Sequence, residues 1–269
     1  MSGALLSFLL MAFAGRELSK EISLFEIMFL RNLICMAILV GLLTRLGWAR
    51  VRTSRPLRHL ARNTIHYAAI YAWFFAVAAI PLAEVFAIEF TAPIWTALLA
   101  SLFLRERLTP WRVVGIALGF TGVLIILRPG IAIIHPASFA ALGAALGYAM
   151  VYVITKDLIS YDGPLTIVFW MNLMQLVLGL APSLYAWTTP SPAMWPWVLV
   201  VGISGLSSHY CLSRALAYAD ATVVTPLDFL RLPLAAVVAW LAYAEVLDPY
   251  VFLGAAVIFA GNWLSIRRG

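Results

Sequence analysis

Ten long apolar runs divide this chain, and each is bounded by charged residues or by proline and glycine. A membrane-spanning helix needs about 20 mostly apolar residues, whereas a β-barrel would show alternating strands of about 10 residues, and we find none. The pattern therefore predicts an all-α membrane protein with ten transmembrane helices and short connections. The runs cover residues 2–20, 26–44, 64–80, 82–104, 110–127, 136–156, 164–187, 195–218, 221–245 and 249–266.

The composition agrees with this pattern and excludes several classes of protein. Of 269 residues, 64% are hydrophobic and 11% are charged, whereas a soluble domain carries about 25% charged residues. The net charge of +6 alone would suggest nucleic acid as a partner, but so few charges cannot cover a soluble surface, and we expect no nucleic acid. Both cysteines, Cys35 and Cys211, lie in apolar runs, so we expect no disulfide framework and no cysteine-based zinc site.

Most positive charges fall on one side of the predicted bundle. Cytoplasmic loops are enriched in Lys and Arg, and a cytoplasmic N-terminus places twelve of the 18 positive residues in cytoplasmic connections or at the C-terminus. They are Arg45, Arg50, Arg52, Arg55, Arg58, Arg62, Arg105, Arg107, Arg112, Lys156, Arg267 and Arg268. We therefore predict that both termini are cytoplasmic. The run from Arg45 to Arg62 could also bind lipid or nucleic acid. The concentration of positive charges in the cytoplasmic connections instead favours a role in setting the orientation in the membrane.

The two halves of the chain match each other in one register. Matched pairs include Tyr71/Tyr210, Phe90/Phe229, Glu106/Glu245, Pro110/Pro249, Gly115/Gly254, Gly122/Gly261 and Arg128/Arg267. Chance similarity between apolar halves would align Leu, Ala and Val, but rarely Glu, Pro and Gly. We therefore predict two five-helix repeats, residues 1–130 and 131–269. Because five is odd, the second repeat is inverted in the membrane, an architecture typical of secondary transporters.

The residues of this repeat also resemble the EamA-like family of the drug/metabolite transporter superfamily. The similar segments are Phe29-Leu-Arg-Asn32, Phe90-Thr-Ala-Pro-Ile, Leu104-Arg-Glu-Arg-Leu-Thr-Pro, Gly119-Phe-Thr-Gly-Val-Leu-Ile-Ile-Leu-Arg-Pro-Gly130 and the stretch from Ala215 to Pro226. The resemblance implies ten helices in two inverted repeats, a central cavity, a bacterial inner membrane location, and proton- or gradient-driven movement of small metabolites, often outward. The short first run departs from the family pattern.

Four ionisable residues at membrane depth are candidates for the substrate or proton site, because charges there are costly and usually functional. Arg31 lies on the second predicted span, Glu89 on the fourth, and Asp228 and Arg231 on the ninth. Asp228 and Arg231 are three residues apart, so they share a helix face and can form a pair. The alternative is that these residues form internal ion pairs that only hold helices together, although apolar packing would do this at little cost.

Aromatic residues within the spans would complete a binding site. The candidates are Trp73, Tyr148, Tyr152, Trp170 and His209, which lie away from the membrane interface where Trp and Tyr are common. Tyr148 and Tyr152 share a helix face and could stack on a cationic or ring-bearing substrate. Core packing is the alternative for each ring. His209 has the chemistry of a proton carrier, but a membrane histidine bonded to a carbonyl is equally common.

Other polar and breaking residues have a structural interpretation. Glu106 and Glu245 each precede a residue pair that begins a helix, Thr109-Pro110 or Asp248-Pro249, so we assign both acids to helix boundaries. Asn32, Asn172 and Gln175 are expected to form hydrogen bonds between helices. Pro93 lacks an N–H and is expected to break the fourth span, and interrupted helices often mark a transporter's site.

Together these features predict a secondary transporter that moves small metabolites by alternating access. No nucleotide-binding loop or hydrolase motif is present, so we expect no enzyme activity, catalytic residue, cofactor or metal. Acids and arginines in one cavity favour amino-acid-like or zwitterionic substrates, with export preferred. Uptake of a nucleoside-like metabolite such as S-adenosylmethionine is the alternative, and a non-transporting membrane scaffold is the alternative of another class. The expected partners are the substrate and the lipid bilayer, with a homodimer left open.

Overall fold

A computed structural model describes residues 2–103, 109–130, 134–218, 231–246 and 248–268 of the chain. These residues form eleven α-helices and one short 3-10 segment, Trp48–Val51. The helices are α1 (Ser2–Leu18), α2 (Leu24–Leu46), α3 (Pro56–Ala79), α4 (Leu82–Glu89), α5 (Ala92–Phe103), α6 (Pro110–Leu127), α7 (Pro136–Leu158), α8 (Pro164–Tyr185), α9 (Trp195–Tyr218), α10 (Arg231–Tyr243) and α11 (Pro249–Arg268).

Most helix boundaries follow the predicted runs, because the capping signals act locally. Thr109 is the N-cap of α6, where its side chain accepts a hydrogen bond from the backbone N–H of Arg112, and Pro110 occupies the first turn. The third run is the exception, since α3 begins at Pro56 and not at residue 64. Polar residues in the first turns of α3 therefore belong to the helix and not to a loop.

The length and composition of several helices agree with the predicted membrane topology. Five segments of the described chain are long and apolar enough to span a bilayer. They are Leu24–Leu46, Leu82–Leu99, Pro110–Leu127, Pro136–Leu158 and Pro164–Tyr185. Two shorter helices, Arg231–Tyr243 and Pro249–Ser265, are also apolar. The protein is a membrane protein whose described secondary structure is helical, and the total of ten spans stays a prediction.

The fourth predicted span is interrupted between α4 and α5, at Phe90 and Thr91. Pro93 has no N–H to donate to the carbonyl of the preceding turn, and the Thr91 hydroxyl donates to Ile88 O at 2.7 Å. The Phe90 carbonyl accepts a hydrogen bond from Asn262 Nδ2 of α11 at 3.0 Å. The break places Glu89 at the last turn of α4.

Helices α6 and α11 cross at a reciprocal pair of glycine contacts. A Cβ atom built on Gly115 would lie 2.7 Å from Gly261 O, and one built on Gly122 would lie 2.6 Å from Gly254 O. The sequence numbers rise along one helix as they fall along the other, so the helices are antiparallel. Gly115 matches Gly254 and Gly122 matches Gly261 in the sequence repeat, which is the pairing that a two-fold axis between inverted repeats predicts.

One end of the bundle, which we call the Arg16 end, is held by a polar network. Arg16 Nε donates to Val77 O at 2.6 Å, a second guanidinium nitrogen donates to Ile80 O, and a third pairs with the Glu245 carboxylate. The other oxygen of Glu245 accepts the backbone N–H of Leu82 at 3.1 Å. Glu245 therefore has the structural role that its position predicted, with α4 as the helix whose N-terminus it caps.

The opposite end, which we call the His59 end, joins the α2–α3 and α7–α8 connections. Asp162 Oδ2 lies 2.8 Å from His59 Nε2 and accepts the Thr53 hydroxyl at 2.7 Å. Arg58 and Asp157 form a solvent-exposed ion pair beside them. The two ends thus differ, since the Arg16 network draws α1, α3 and α4 together, whereas the His59 contacts join α3 to α7 and α8.

Candidate functional site

A cavity of about 410 Å³ lies between α1, α3, α4, α7, α8 and α9. Its walls combine aromatic, histidine and aliphatic side chains with two charged residues. The lining residues are Phe8, Met11, Arg62, His66, Ile70, Trp73, Glu89, Tyr148, Val151, Tyr152, Thr155, Ile159, Pro164, Ile167, Val168, Met171, His209 and Leu212. The cavity runs from Glu89 and Trp73 to Ile159 and Pro164, so it extends toward the His59 end.

Glu89 is the polar centre of the inner wall. Its Oε2 accepts a hydrogen bond from Trp73 Nε1 at 2.9 Å, and its Oε1 pairs with Arg231 at 3.1 Å. The Arg231 guanidinium also lies 4.7 Å from the ring centre of Phe8 and 5.2 Å from that of Phe86, within the range of cation–π attraction. The charge of Glu89 is therefore compensated within the fold.

Arg62 is a wall residue that the sequence analysis assigned to a cytoplasmic loop. Its side chain is buried, Nε donates to Thr155 Oγ1 at 2.7 Å, and a terminal nitrogen donates to Asn63 Oδ1 at 2.7 Å. His66 and Trp73 follow on the same face of α3 at helical spacing. This spacing was the signal that could have identified Arg62 and His66 from the sequence.

The predicted aromatic residues divide between the cavity and the core. Tyr148 and Tyr152 both line the cavity, as their shared face suggested, and Tyr148 lies 5.8 Å from His66 between ring centres. The ring of His209 meets that of His66 edge to face at 5.4 Å. Its Nε2 is buried and makes no hydrogen bond with the described residues. These rings give the cavity surfaces on which a flat molecule can stack.

Trp170 does not line the cavity, contrary to its grouping with the other aromatic candidates. Its indole N–H donates to Val51 O at 2.9 Å, and its ring packs against Phe169 and His59. The 3-10 segment folds back over the start of α8 and covers this side chain. Its position along the span did not reveal which face of α8 it occupies.

Arg31 lies behind the cavity wall and does not line it. One terminal nitrogen donates to Gln175 Oε1 at 2.8 Å and to Asn32 Oδ1 at 3.2 Å. Gln175 therefore bridges α2 and α8, as expected of an amide in a membrane protein. The amide nitrogens of Asn32 and Asn172, in contrast, donate within their own helices, to Met28 O and Val168 O. The predicted set of two acids and two arginines does not form around Arg31 among the described residues.

Two acidic residues of the sequence analysis, Glu106 and Asp228, lie outside the described residues. Arg231, the predicted partner of Asp228, forms an ion pair with Glu89. The site roles of Glu89, Arg231, Trp73 and the cavity rings stay predictions, although the fold brings these side chains together.

Comparison with known proteins places these features in a family. The profile of the EamA-like transporter family matches residues 1–128 and 135–267. A riboflavin transporter from Rhizobium johnstonii is 35% identical over 84% of this chain and 75% of its own length. A riboflavin transporter from Brucella anthropi is 30% identical over 90% of this chain and 87% of its own length.

Two further likenesses extend over nearly the whole chain. An S-adenosylmethionine uptake transporter from Rickettsia bellii is 26% identical over 94% of this chain and 87% of its own length. A solved protein structure superposes with a TM-score of 0.65 at 18% identity, covering 98% of this chain and 96% of the other. The latter shows a shared fold. The named relatives are transporters and not enzymes, as we expected of this chain.

Proposed function

This chain belongs to the EamA-like transporter family, and from this premise we propose that it is a secondary carrier of riboflavin or of a similar uncharged, flat heterocycle. The protein is a membrane transporter of small metabolites. Riboflavin is the substrate in the names of the relatives from Rhizobium johnstonii and Brucella anthropi. The choice of a flat, uncharged heterocycle as the substrate of this chain depends on the chemistry of the cavity.

The observation that carries the proposal is a ring-lined cavity whose acid is already neutralised. Trp73, Tyr148, Tyr152, His66 and His209 supply faces and edges for stacking on a planar ring system. Sites for ligands of this size usually measure about 300–1,000 Å³, and this cavity measures about 410 Å³. A small amino acid would fill only part of it, which argues against the zwitterionic substrate expected from the sequence.

The charges of the wall also favour a neutral ligand over a cation. The described lining residues include Arg62 as a cation and Glu89 as an acid, and Glu89 is paired with Arg231. S-adenosylmethionine carries a sulfonium cation, which the aromatic rings of the wall could hold by cation–π contact but which Arg62 would repel. It is the second candidate because of the Rickettsia bellii relative.

The difference between the two ends supports transport by alternating access. The Arg16 network closes one end across α1, α3 and α4, whereas the cavity extends toward the His59 end. If the orientation follows the positive-inside rule, the His59 end is cytoplasmic, and we assign the structure to an inward-facing state. Protonation of Glu89 would weaken its pair with Arg231, which gives a route for a proton gradient to drive the change of state.

Binding and flux of riboflavin test the proposal. Purified protein in lipid nanodiscs should quench riboflavin fluorescence saturably, and proteoliposomes should move riboflavin in a direction set by an imposed pH gradient. Trp73→Phe should weaken binding, because it removes the bond that holds Glu89, whereas Trp240→Phe should not, because Trp240 is 55% exposed on the outer face of α10.

The competing functions give different results in the same assays. Displacement by S-adenosylmethionine or by amino acids, with no binding of riboflavin, would replace the proposed substrate class. An absence of flux for all three substrate classes, with intact thermal unfolding, would support a scaffold. Flux that runs only outward would support the export direction expected from the sequence.

A further inference from the structure

We infer that Gln175 and Arg31 fix His66 as a hydrogen-bond donor toward the substrate, which makes Gln175 and Arg31 positioning residues of the cavity. The three side chains form a chain of contacts from α2 through α8 to α3. The inference rests on the proposed function, since it concerns how a carbonyl-bearing heterocycle is recognised.

The direction of each hydrogen bond follows from the chemistry of the groups. Arginine has only donors, so Gln175 must turn its carbonyl oxygen toward Arg31, at 2.8 Å. The amide nitrogen of Gln175 then faces His66 Nδ1, at 2.6 Å. An amide nitrogen only donates, so Nδ1 must be the acceptor, and the proton of the neutral ring must be on Nε2.

The position of the ring turns this proton toward the cavity. His66 is a wall residue, whereas Gln175 and Arg31 are not. Because Nδ1 is directed away from the cavity toward Gln175, the opposite edge of the imidazole, which carries Nε2–H, faces the rings of Tyr148 and His209. The wall therefore presents a donor between aromatic surfaces, which suits a carbonyl or ring-nitrogen acceptor at the edge of a flat heterocycle.

This arrangement also gives a role to the arginine behind the wall. Arg31 is 1% exposed, and among the described residues its hydrogen bonds go to the amides of Gln175 and Asn32 and not to an acid. A buried charge of this kind is costly in a membrane. Arg31 would prevent the Gln175 amide from rotating by half a turn. Such a rotation would turn the carbonyl oxygen of Gln175, and not its N–H, toward His66.

The proton position can be read directly by nitrogen NMR of histidine-labelled, ligand-free protein in nanodiscs. The chain has four histidines, and His66→Gln identifies the signals of His66 by their loss. We expect a neutral ring with its proton on Nε2. Gln175→Glu should move the proton to Nδ1, because a carboxylate accepts where the amide donated, and riboflavin affinity should fall by about tenfold or more. A proton on Nδ1 in the unaltered protein would overturn the inference.

A matched control and a second pair of variants keep the test independent of folding. Asn32→Asp places the same negative charge beside Arg31 without touching the bond from Gln175 to His66, so the signals of His66 should not change. If Gln175→Glu does not fold, Arg31→Lys should retain the Nε2 proton, and Arg31→Met should give a mixture of both forms. An unchanged proton position in Arg31→Met would contradict the role of Arg31.

The inference and the proposed function can fail separately. Protein that carries the proton on Nε2 but does not bind riboflavin would refute the substrate and leave the positioning chain intact. Protein that binds riboflavin with the proton on Nδ1 would refute the positioning chain alone.

Discussion

Arg16 at the end of α1 and Glu245 after α10 form an ion pair, and the same Glu245 carboxylate accepts the first backbone N–H of α4, from Leu82. Arg16 also holds the carbonyls of Val77 and Ile80 at the end of α3. The side chains of Arg16 and Glu245 therefore join α1, the end of α3, the start of α4 and the segment after α10. In the proposed cycle these contacts must separate for the cavity to open at the Arg16 end.

Glu245→Gln should destabilise the protein and favour opening at the Arg16 end. The side chains of Arg16 and Glu245 are only 11% and 16% exposed, so removal of one partner leaves a largely buried charge, at a cost of about 3 kcal/mol. Thermal unfolding in detergent measures this loss. Asp157→Asn is the control, since Arg58 and Asp157 are 46% and 45% exposed and such pairs contribute less than about 1 kcal/mol. Equal losses in both variants would contradict the role of Glu245.

Glu89→Gln should abolish transport and lower stability, because Arg231 would lose its ion pair with the Glu89 carboxylate in an apolar wall. The double variant Glu89→Gln with Arg231→Met should recover part of the stability, since it removes both charges of this pair, but it should not recover flux. Flux assays and thermal unfolding of the three variants distinguish the two effects. Recovery of flux in the double variant would show that the pair is only structural.

Arg62→Lys should weaken substrate binding by about tenfold, equal to about 1.4 kcal/mol. Lysine cannot reproduce the two directed hydrogen bonds that the guanidinium makes to Thr155 and Asn63. Arg58→Lys is the control on the same helix, because Arg58 is exposed outside the cavity. Titration of riboflavin fluorescence compares them, and equal affinities would remove Arg62 from the site.

Gly122→Ala should separate α6 from α11 and destabilise the protein by about 1–3 kcal/mol, the usual cost of overpacking. The added Cβ would lie 2.6 Å from the backbone oxygen of Gly254, which cannot move aside alone. Gly143→Ala is the control, since a Cβ there meets nothing within 4 Å and should stabilise α7 by about 0.5–1 kcal/mol. Thermal unfolding should therefore shift in opposite directions.

The family and most helix boundaries could be predicted because their signals are local. Apolar runs, Thr109-Pro110 and the EamA-like segments depend on residues close together in the sequence, and the family assignment is confirmed. The start of α3 was missed because the apolar run does not extend to it. His59 and Arg62 look like loop residues, but Asp162 and Thr155 satisfy them inside the fold, and these partners are about a hundred residues away in the chain.

The candidate site was less predictable than the fold, because it depends on which face of each helix turns inward. Trp73 and Trp170 looked equivalent in the sequence, yet one bonds to Glu89 in the cavity and the other to Val51 outside it. Arg31 was expected in the cavity, and its place behind the wall depends on Gln175 of another helix. The substrate class depends on the shape and charge of the assembled wall, which no single segment encodes.

The break between α4 and α5 has a mechanical consequence. Asn262 of α11 binds the carbonyl of Phe90 at the break, so the pivot about which α4 and α5 can bend is attached to a third helix. Glu89 precedes this pivot by one residue. In the proposed cycle, we therefore expect a change in the angle at which α11 crosses α6 to move this break and, with it, the Glu89 carboxylate.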